Sequence, residues 1–550
     1  MPSLCSPQSV TLRALFAAAI LVWAGIAQDA RCAENVLSGG HNAKGQVVVA
    51  CASAHLAALA PWIEHREGQG FLVNVVGNAG NADQVRRRIH AAFSAQPSTR
   101  FIVLVGDAPT ANDEQPSELT TATFFRSAKI NKSLGGGEDI ATDNPYADWD
   151  ADGIPDAAVG RLPVDSAEEL KGLVDKILDY EREPPGRWQR KINFIAGVGG
   201  FGMLADAVIE SGARKFITEG IPAAFRTNMT YASWQSPYYP GGRNFLQAAL
   251  DRFNEGSLFC VYIGHGSRTS LDFVREQTPF DERYYPILRK TDLDALACEN
   301  GSPIALFLAC HTGSFDGELD SLAEELLRRK GGPVAAVCGS RVTMPYAMSV
   351  LGSELMKQCF VARRATLGEL MHHAKRGTIL NKRDDETSKL LDNIASLLNV
   401  HDDLAGERQE HLSLFNLLGD PLLRIGLPET WDLQMPATAR AGAQVEIRGK
   451  STFAADAQFE LVVTRDRLTF RPQPRKQLLG GRREGQEFWS TYLRANQQTL
   501  SAAKTLVTPG EDFRVTLRIP SDAGEGDYHV RMLAVGEENS AVGSVDLAIE

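Results

Sequence analysis

Apolar positions between Gly45 and about Arg424 form short runs that alternate with amphipathic stretches. Runs rich in β-branched and aromatic residues predict strands, and stretches in which apolar residues recur every three or four positions predict helices. The strands predicted in the first part of this region are Val47–Ala50, Phe71–Val76, Phe101–Val105 and Ala157–Gly160. Alternation of strands and helices is typical of a parallel sheet covered by helices.

Two helices are predicted in the same part of the chain. The first has an apolar face formed by Val85, Ile89 and Phe93, which recur at every fourth residue. The second begins at Ser166, because Glu169 stands three residues later and such a pair forms a capping box.

A Pro-Pro-Gly sequence at residues 184–186 ends the second helix and predicts a boundary within the α/β region. It separates a first half, residues 45–186, from a second half, residues 187–428. The strands predicted in the second half are continuous apolar runs, as expected for central strands covered on both faces. They are Ile192–Ala196, Ser257–Ile263, Pro303–Ala309 and Pro333–Cys338.

Alternation of apolar and polar residues replaces this pattern after Pro428. It is clearest over residues 513–519 and 528–532, and Val445 and Ile447 repeat it. Such alternation predicts half-buried antiparallel strands. A segment of about 115 residues built in this way predicts an immunoglobulin-like β-sandwich over residues 432–550. We therefore expect an α/β domain followed by a β-sandwich.

The most apolar stretch, Ala14–Ala27, lies behind Arg13 at the start of the chain. Its 14 residues fall short of the roughly 20 that a transmembrane helix needs. A basic residue, a short apolar core and small residues before the cut predict a secretory signal peptide, residues 1–27, with cleavage after Ala33 as the alternative. We therefore expect an exported protein whose mature chain has no transmembrane segment.

Composition and charge narrow the class of protein. Apolar residues make up 43% and charged residues 23% of the 550 residues, which excludes general disorder and fibrous repeats. The 57 Lys and Arg against 68 Asp and Glu give a formal net charge of −11, and removal of residues 1–27, with one Arg and no acidic residue, makes it −12. A chain with this excess of acidic residues lacks the net positive charge that is typical of nucleic-acid-binding proteins.

The eight cysteines are too few for a disulfide-built scaffold and show no spacing typical of zinc sites. Removal of the signal peptide leaves seven, and an odd number in an exported protein predicts at least one free thiol. Cys260 and Cys338 lie in apolar runs, where a small buried hydrophobe is the expected role.

A G-x-G-x-x-G pattern at Gly197, Gly199 and Gly202 directly follows the predicted strand Ile192–Ala196. Such glycines let a pyrophosphate approach the backbone at a helix N-terminus. No strand ending in Asp or Glu follows at the expected distance, so a turn without a ligand is the simpler interpretation. A nucleotide-dependent enzyme remains the alternative for this motif.

Two predicted strands end in residues that carry chemistry. Ser257–Ile263 leads into GHGS, which contains His265, and Pro303–Ala309 leads into CHTG, which begins with Cys310. Ligands of open parallel sheets bind beyond the carboxyl ends of strands, and a Cys activated by a His is a strong nucleophile near neutral pH. The Gly266 and Cys310 amides would then form an oxyanion hole. A buried structural Cys beside a turn His is the alternative for an isolated pair.

Five motifs along residues 45–425 resemble the gingipain and clostripain-like group of caspase-fold cysteine peptidases. They are ATDNPYADWDADGIPDAAVGRLPVDSAEEL, LFCVYIGHGS, ALFLACHTGSFDG, AEELLRRKGGPVAAVCGS and LFNLLGDPLLRI. The resemblance implies a caspase-like three-layer α/β fold with a parallel sheet. It also implies that His265 and Cys310 form the catalytic dyad of a peptidase and that His311 has no catalytic role.

The resemblance further implies residues that assist the dyad. Members of the group orient the His through an acidic residue upstream; Glu138 and Asp139 lie in the right region, and the third catalytic residue stays open. Asp143 matches the position that receives a basic substrate side chain, for which a carboxylate favours Arg and then Lys. Arg341 could instead pair with Asp143, and a plain turn role before Pro145 is the other alternative.

Four carboxylates cluster around a glycine turn, which resembles the start of a calcium loop. They belong to Asp148, Asp150, Asp152 and Asp156. Carboxylates this close repel one another unless a cation or hydrogen-bond donors neutralise them. The usual closing acid is missing, so both a structural calcium site and a solvated Asp-rich turn are open.

Together these features predict an exported cysteine endopeptidase that acts on proteins or peptides and needs no cofactor for its chemistry. The alternative from another class is a catalytically inactive caspase-fold module that binds a partner at the cell surface.

Overall fold

The computed structural model describes residues 44–93, 100–113, 116–133, 137–197, 220–384, 386–398, 403–463 and 477–550. The predicted signal peptide, Gly199 and Gly202 lie outside these residues. Within them, no helix has both the length and the apolar character needed to span a membrane.

The α/β region is built around one ten-stranded sheet and two short hairpins. Its strands are, in chain order, β1 (Gln46–Cys51), β2 (Leu72–Gly77), β3 (Arg100–Val105), β4 (Phe124–Ser127), β5 (Asp139–Thr142), β6 (Ala158–Leu162), β7 (Lys191–Ala196), β8 (Arg226–Tyr231), β9 (Phe259–Ile263), β10 (Phe273–Gln277), β11 (Glu282–Pro286), β12 (Ile304–Leu308), β13 (Ala335–Gly339) and β14 (Phe415–Leu418). The large sheet has the order β2-β1-β3-β6-β14-β13-β12-β9-β7-β8, and the hairpins are β4-β5 and β10-β11.

Strand β14 joins the two halves of the large sheet. It pairs antiparallel with β13 and parallel with β6, where Leu418 lies beside Arg161. All other pairs in this sheet are parallel. The strands of the first half therefore run opposite to those of the second half, and the carboxyl ends of β9 and β12 meet at one edge.

Helices pack on the α/β sheet and in the C-terminal domain. They are α1 (Leu56–Gly68), α2 (Ala82–Ala92), α3 (Ile130–Ser133), α4 (Ala167–Arg182), α5 (Gly242–Asn254), α6 (Leu322–Arg328), α7 (Pro345–Met356), α8 (Leu367–Leu380), α9 (Glu386–Leu398), α10 (Leu404–Leu414) and α11 (Arg482–Asn496). Shorter 3₁₀ segments are Ser53–His55, Asn144–Tyr146, Arg187–Arg190 and Lys290–Ala295, and a π-helical turn is Lys357–Val361.

The predicted strands and helices of the α/β region are confirmed to within one or two residues at most ends. Val85 and Ile89 are fully buried on α2, and Phe93 is buried just beyond its end. Ser166 caps α4 by accepting from the Glu169 amide at 3.2 Å. The Glu169 carboxylate, however, accepts from the Asp165 amide rather than from Ser166, so the predicted reciprocal bond is displaced by one residue.

The C-terminal domain is a sandwich of two sheets, as the alternating pattern predicts. Its strands are β15 (Glu429–Thr430), β16 (Leu433–Gln434), β17 (Thr438–Ala439), β18 (Gln444–Lys450), β19 (Ala455–Val463), β20 (Thr499–Val507), β21 (Asp512–Arg518), β22 (Gly526–Val535) and β23 (Ser540–Ile549). One sheet has the order β15-β23-β22-β19-β20 with β17 beside β23, and the other has the order β16-β18-β21.

Helix α11 lies between β19 and β20 and was not predicted. Its buried residues include Phe488 and Tyr492, and Asn496 at its end exchanges two hydrogen bonds with the backbone of Met229 on β8. The helix therefore attaches the sandwich to the edge strand of the large sheet.

Candidate active site

His265 and Cys310 occupy matching positions just beyond two neighbouring strands. Strands β9 and β12 are parallel and pair Ile263 with Leu308, and the Gly264 amide donates to the Leu308 carbonyl at 3.3 Å. His265 follows Ile263 by two residues and Cys310 follows Leu308 by two residues, so both lie just beyond paired positions of adjacent strands. The structure therefore places both predicted residues at the carboxyl edge of the sheet.

Gly266 lies directly against the backbone of Cys310. A Cβ atom at position 266 would stand 2.7 Å from the Cys310 carbonyl oxygen and 2.8 Å from Cγ2 of Thr312, so only glycine fits there. The amides of Gly266 and Cys310 donate no hydrogen bond to any residue that the structure describes. This arrangement is compatible with the oxyanion hole, which stays a prediction.

The Cys310 thiol has a backbone donor. The Thr343 amide donates to Cys310 Sγ at 3.3 Å, and the Thr343 hydroxyl lies 3.7 Å from the same sulfur. Thr343 itself is buried, so this donor is held in place. The thiol in turn donates to the Thr343 carbonyl at 3.8 Å, so Thr343 contacts the sulfur through both its backbone and its hydroxyl.

Cys310 also differs from the other described cysteines in its exposure. It is partly exposed, whereas the remaining described thiols are buried, and none of the six forms a disulfide. Burial raises the pKa of Cys51 to about 12 and raises the pKa of Cys260, Cys338 and Cys359 well above the ordinary range. Buried thiols of this kind are inert.

His311, next to Cys310, has a role in the turn. Its φ of 56° is a left-handed conformation that non-glycine residues adopt uncommonly. Its amide donates to the Arg341 carbonyl at 3.1 Å, and its Nδ1 lies 3.4 Å from the Ser314 hydroxyl. Burial lowers the pKa of His311, so its imidazole stays neutral near pH 7.

Asp143 is enclosed by protein groups, which corrects its predicted role in substrate binding. Its two carboxylate oxygens accept from Nε and Nη2 of Arg161 at 2.8 and 2.7 Å, and the Thr123 hydroxyl donates at 2.8 Å. Asp143 and Arg161 are both buried. A carboxylate enclosed in this way has no open side for a basic substrate side chain.

Arg341 does not pair with Asp143, so that alternative is wrong. Its Nη1 and Nη2 atoms donate to the two oxygens of Asp316 at 2.8 and 2.6 Å, and its Nε atom donates to the Asp139 carbonyl at 2.9 Å. Glu138 is mostly exposed and forms an ion pair with Lys132 at 2.7 Å.

Three of the four carboxylates in the predicted calcium loop converge. Oxygens of Asp148, Asp150 and Asp156 lie within 4.8 Å of one another. Asp148 is 3% exposed, and burial raises its pKa. A bound cation would offset the free-energy cost of burying this carboxylate charge. Asp152 is not in the group. Its Oδ1 accepts from the Ile154 amide at 2.7 Å.

A second carboxylate cluster was missed by the sequence analysis. Oxygens of Asp107, Asp320 and Glu324 lie within 4.8 Å of one another at the start of α6. Burial raises the pKa of Asp107 to about 6, and burial beside Asp107 raises the pKa of Glu324 well above its ordinary value. No local spacing points to this cluster, since Asp107 follows β3 and Glu324 lies far along the chain.

The large, mostly parallel sheet covered by helices places this region in the α/β class of folds, with a His and a Cys just beyond two adjacent strands. The family model for peptidase family C25 matches residues 41–426, and the chain belongs to that family.

Individual relatives agree with this assignment. Lys-gingipain W83 of Porphyromonas gingivalis is 25% identical over 315 residues, which are 54% of this chain and 16% of the relative. A gingipain R2 of the same species is 21% identical over 419 residues, which are 73% of this chain and 49% of the relative. The chain thus spans less than half the length of these curated relatives.

The crystal structure of the Arg-specific cysteine proteinase gingipain R has a similar fold. It superposes with a TM-score of 0.50 at 16% identity, over 94% of this chain and 100% of that one.

Proposed function

We propose that this chain is a cysteine endopeptidase in which Cys310 is the nucleophile and His265 the general acid and base. The observation that supports it most strongly is the register of β9 with β12, because the two residues follow paired positions of these adjacent strands. The partly exposed Cys310 thiol and its Thr343 donor add to it.

The chemistry proceeds in two transfers. The Cys310 thiolate attacks the scissile carbonyl carbon, and the resulting oxyanion accepts from the Gly266 and Cys310 amides, each such donor being worth about 2.7–4 kcal/mol. Protonated His265 gives its proton to the leaving amine, the C–N bond breaks and a thioester forms. Neutral His265 then takes a proton from water, and the resulting hydroxide attacks the thioester carbon. The C–S bond breaks, the acid product leaves and ionises in solvent, and the Cys310 thiolate and protonated His265 are restored.

The proposal leaves side-chain preference open. Asp143 is neutralised by Arg161, and Arg341 is neutralised by Asp316, so neither presents a free charge for a substrate. Peptides with Arg, Lys, Ala or Asp before the scissile bond measure this preference directly.

Export and calcium binding belong to the same proposal. The apolar Ala14–Ala27 stretch supports export through a signal peptide. The converging oxygens of Asp148, Asp150 and Asp156 support a structural calcium ion, which has no part in the reaction steps.

Cleavage of an unbiased peptide library by the purified protein tests the function. We expect the wild type to cleave peptides and Cys310→Ala to abolish cleavage. His265→Ala should reduce the cleavage rate about 10²–10⁴-fold, because acid–base catalysis usually contributes that factor. Cys298→Ala, at a buried thiol outside the dyad, is the matched control and should cleave normally.

The same experiment distinguishes the peptidase from the alternative, a catalytically inactive binding module. A catalytically inactive binding module would cleave no peptide as wild type, and a contaminating or different activity would survive in Cys310→Ala. Either result contradicts the dyad mechanism.

A further inference from the structure

A tight hairpin follows β9 and carries His265 at its base. Gly266 faces Leu271 in an antiparallel bridge, and the Ser267 amide donates to the Ser270 carbonyl at 2.8 Å. The bridge is isolated, so no ladder continues outward from it. His265 and Asp272 lie one residue further out, on the two arms of the hairpin.

The Tyr262 hydroxyl ties these two residues together. It donates to the His265 carbonyl at 2.7 Å and accepts from the Asp272 amide at 3.3 Å. A Cβ atom at Gly197 would stand 2.9 Å from this hydroxyl and 3.7 Å from Asp272 Cβ. This close packing accounts for Gly197, the first glycine of the G-x-G-x-x-G pattern, without any nucleotide.

We propose that Asp272 is the positioning residue for His265: its carboxylate faces the imidazole across the hairpin, sets the ring orientation and stabilises the protonated ring. This inference rests on the proposed peptidase function. It places the acidic partner seven residues after the His, rather than upstream.

The surroundings of Asp272 agree with this role. Its Oδ1 accepts from the Phe273 amide at 2.7 Å, which holds the carboxylate in place. Burial raises the pKa of Asp272, and both the Phe273 amide and the charge of His265 act in the opposite direction. A carboxylate that responds to the imidazole charge stabilises that charge in return.

Among the described residues, two further titratable groups lie next to the backbone of His265 and Gly266. They are the Tyr262 phenol on β9 and Cys310 beyond β12. The Arg268 guanidinium in the hairpin turn donates to the Leu319 carbonyl, away from this pair. Burial keeps the pKa of Tyr262 far above 10, so its hydroxyl stays neutral and acts through hydrogen bonds alone.

The titration of His265 tests the proposal without relying on activity. In a Cys310→Ala background, the pKa of His265 is measured by NMR with and without Asp272→Asn, which keeps the oxygen that the Phe273 amide needs. We expect Asp272→Asn to lower the pKa of His265 by about one unit, as loss of a nearby opposite charge does. Asp281→Asn, at the exposed turn between β10 and β11, is the matched control and should leave it unchanged.

Kinetics on the otherwise wild-type enzyme give the second readout. Asp272→Asn should lower kcat about 10- to 100-fold with little change in KM, because the lost interaction helps proton transfer rather than binding. The alkaline limb of the kcat/KM profile should move to lower pH, since His265 must be protonated to donate. Asp272→Glu should recover part of the rate.

An unchanged His265 titration, or an unchanged kcat in Asp272→Asn, would overturn the proposal. A wild-type protein without peptidase activity would contradict the proposed function instead, and the titration in the Cys310→Ala background would still decide the role of Asp272.

Discussion

The carboxylate of Asp143 is the charge partner of Arg161, which is itself fully buried. Removal of one member of a buried ion pair leaves the other charge uncompensated and costs about 3–5 kcal/mol. We therefore expect Asp143→Ala to lower the free energy of unfolding by this amount, measured by urea denaturation.

Substrate preference is the readout that separates the two roles of Asp143. With the ion-pair role, the ratio of kcat/KM for Arg and Ala peptides stays the same in any Asp143→Ala protein that remains folded. A variant of normal stability that loses only the cleavage after Arg would restore Asp143 to the specificity pocket.

Residues with local sequence signals were the ones that could be predicted. Glycines on both sides of His265 and the apolar run before Cys310 predicted that both are functional residues at the ends of strands. Asp272 has no such signal, because its partnership depends on the register of a hairpin. Thr343 is likewise placed by the fold, since only the turn after β13 brings its amide to Cys310.

Helix α6 begins at a cluster of acidic groups that makes the stability of the protein depend on pH. Burial raises the pKa of Asp107 to about 6, and the pKa of Glu324 is also raised. Groups whose pKa is raised in the folded state give stability that is complete below about pH 4 and is lost as the pH rises through about 6. A bound cation would offset this loss.

Glu324→Gln tests this cluster, because the amide oxygen keeps the hydrogen bond from the Ser321 amide. In a chelator, we expect the free energy of unfolding of the wild type to fall more between pH 5 and about 7.5 than that of Glu324→Gln. Added calcium should stabilise the wild type mainly at the higher pH.

Asp150→Asn, in the other carboxylate group, is the matched variant. A calcium response that survives in Glu324→Gln and disappears in Asp150→Asn would assign the ion to the Asp148, Asp150 and Asp156 group alone. Equal pH dependence of wild type and Glu324→Gln would contradict the pKa assignment.

Elements were predictable in proportion to their length and periodicity. The central strands are continuous apolar runs, and β9, β12 and β13 are confirmed on that pattern. Strand β14 has only four residues, and it pairs with β6 and β13, which are distant from it in sequence. A local pattern therefore could not predict its place in the sheet. Helix α11 was missed because strand alternation dominates the segments on both sides of it.

Glu460 connects the two domains of the molecule. It accepts from Arg190, ahead of β7, at 2.8 Å and from Arg531, within the sandwich, at 2.9 Å, and all three residues are buried. Burial alone would raise the pKa of Glu460, but the two guanidinium groups lower it to about 2. Its stabilisation is therefore complete above about pH 4.5 and is lost as the pH falls through about 2.

We expect Glu460→Gln to destabilise the protein by about 3–5 kcal/mol at pH 7, since two buried cations lose their counter-charge. The difference from wild type should shrink at pH 3, as measured by urea unfolding. Glu446→Gln, on the exposed face of β18, is the matched control and should have little effect. A pH-independent difference would contradict the charge role of Glu460.

If Cys310 is the activated nucleophile of a peptidase, a substrate-like electrophile should modify it in preference to every other cysteine. The wild type is treated with peptidyl acyloxymethyl ketones at neutral pH, and the modified residue is located by mass spectrometry of proteolytic fragments. We expect a single adduct on Cys310, which is absent in Cys310→Ala and forms much more slowly in His265→Ala. An adduct on another cysteine, or equal labelling in wild type and His265→Ala, would contradict it.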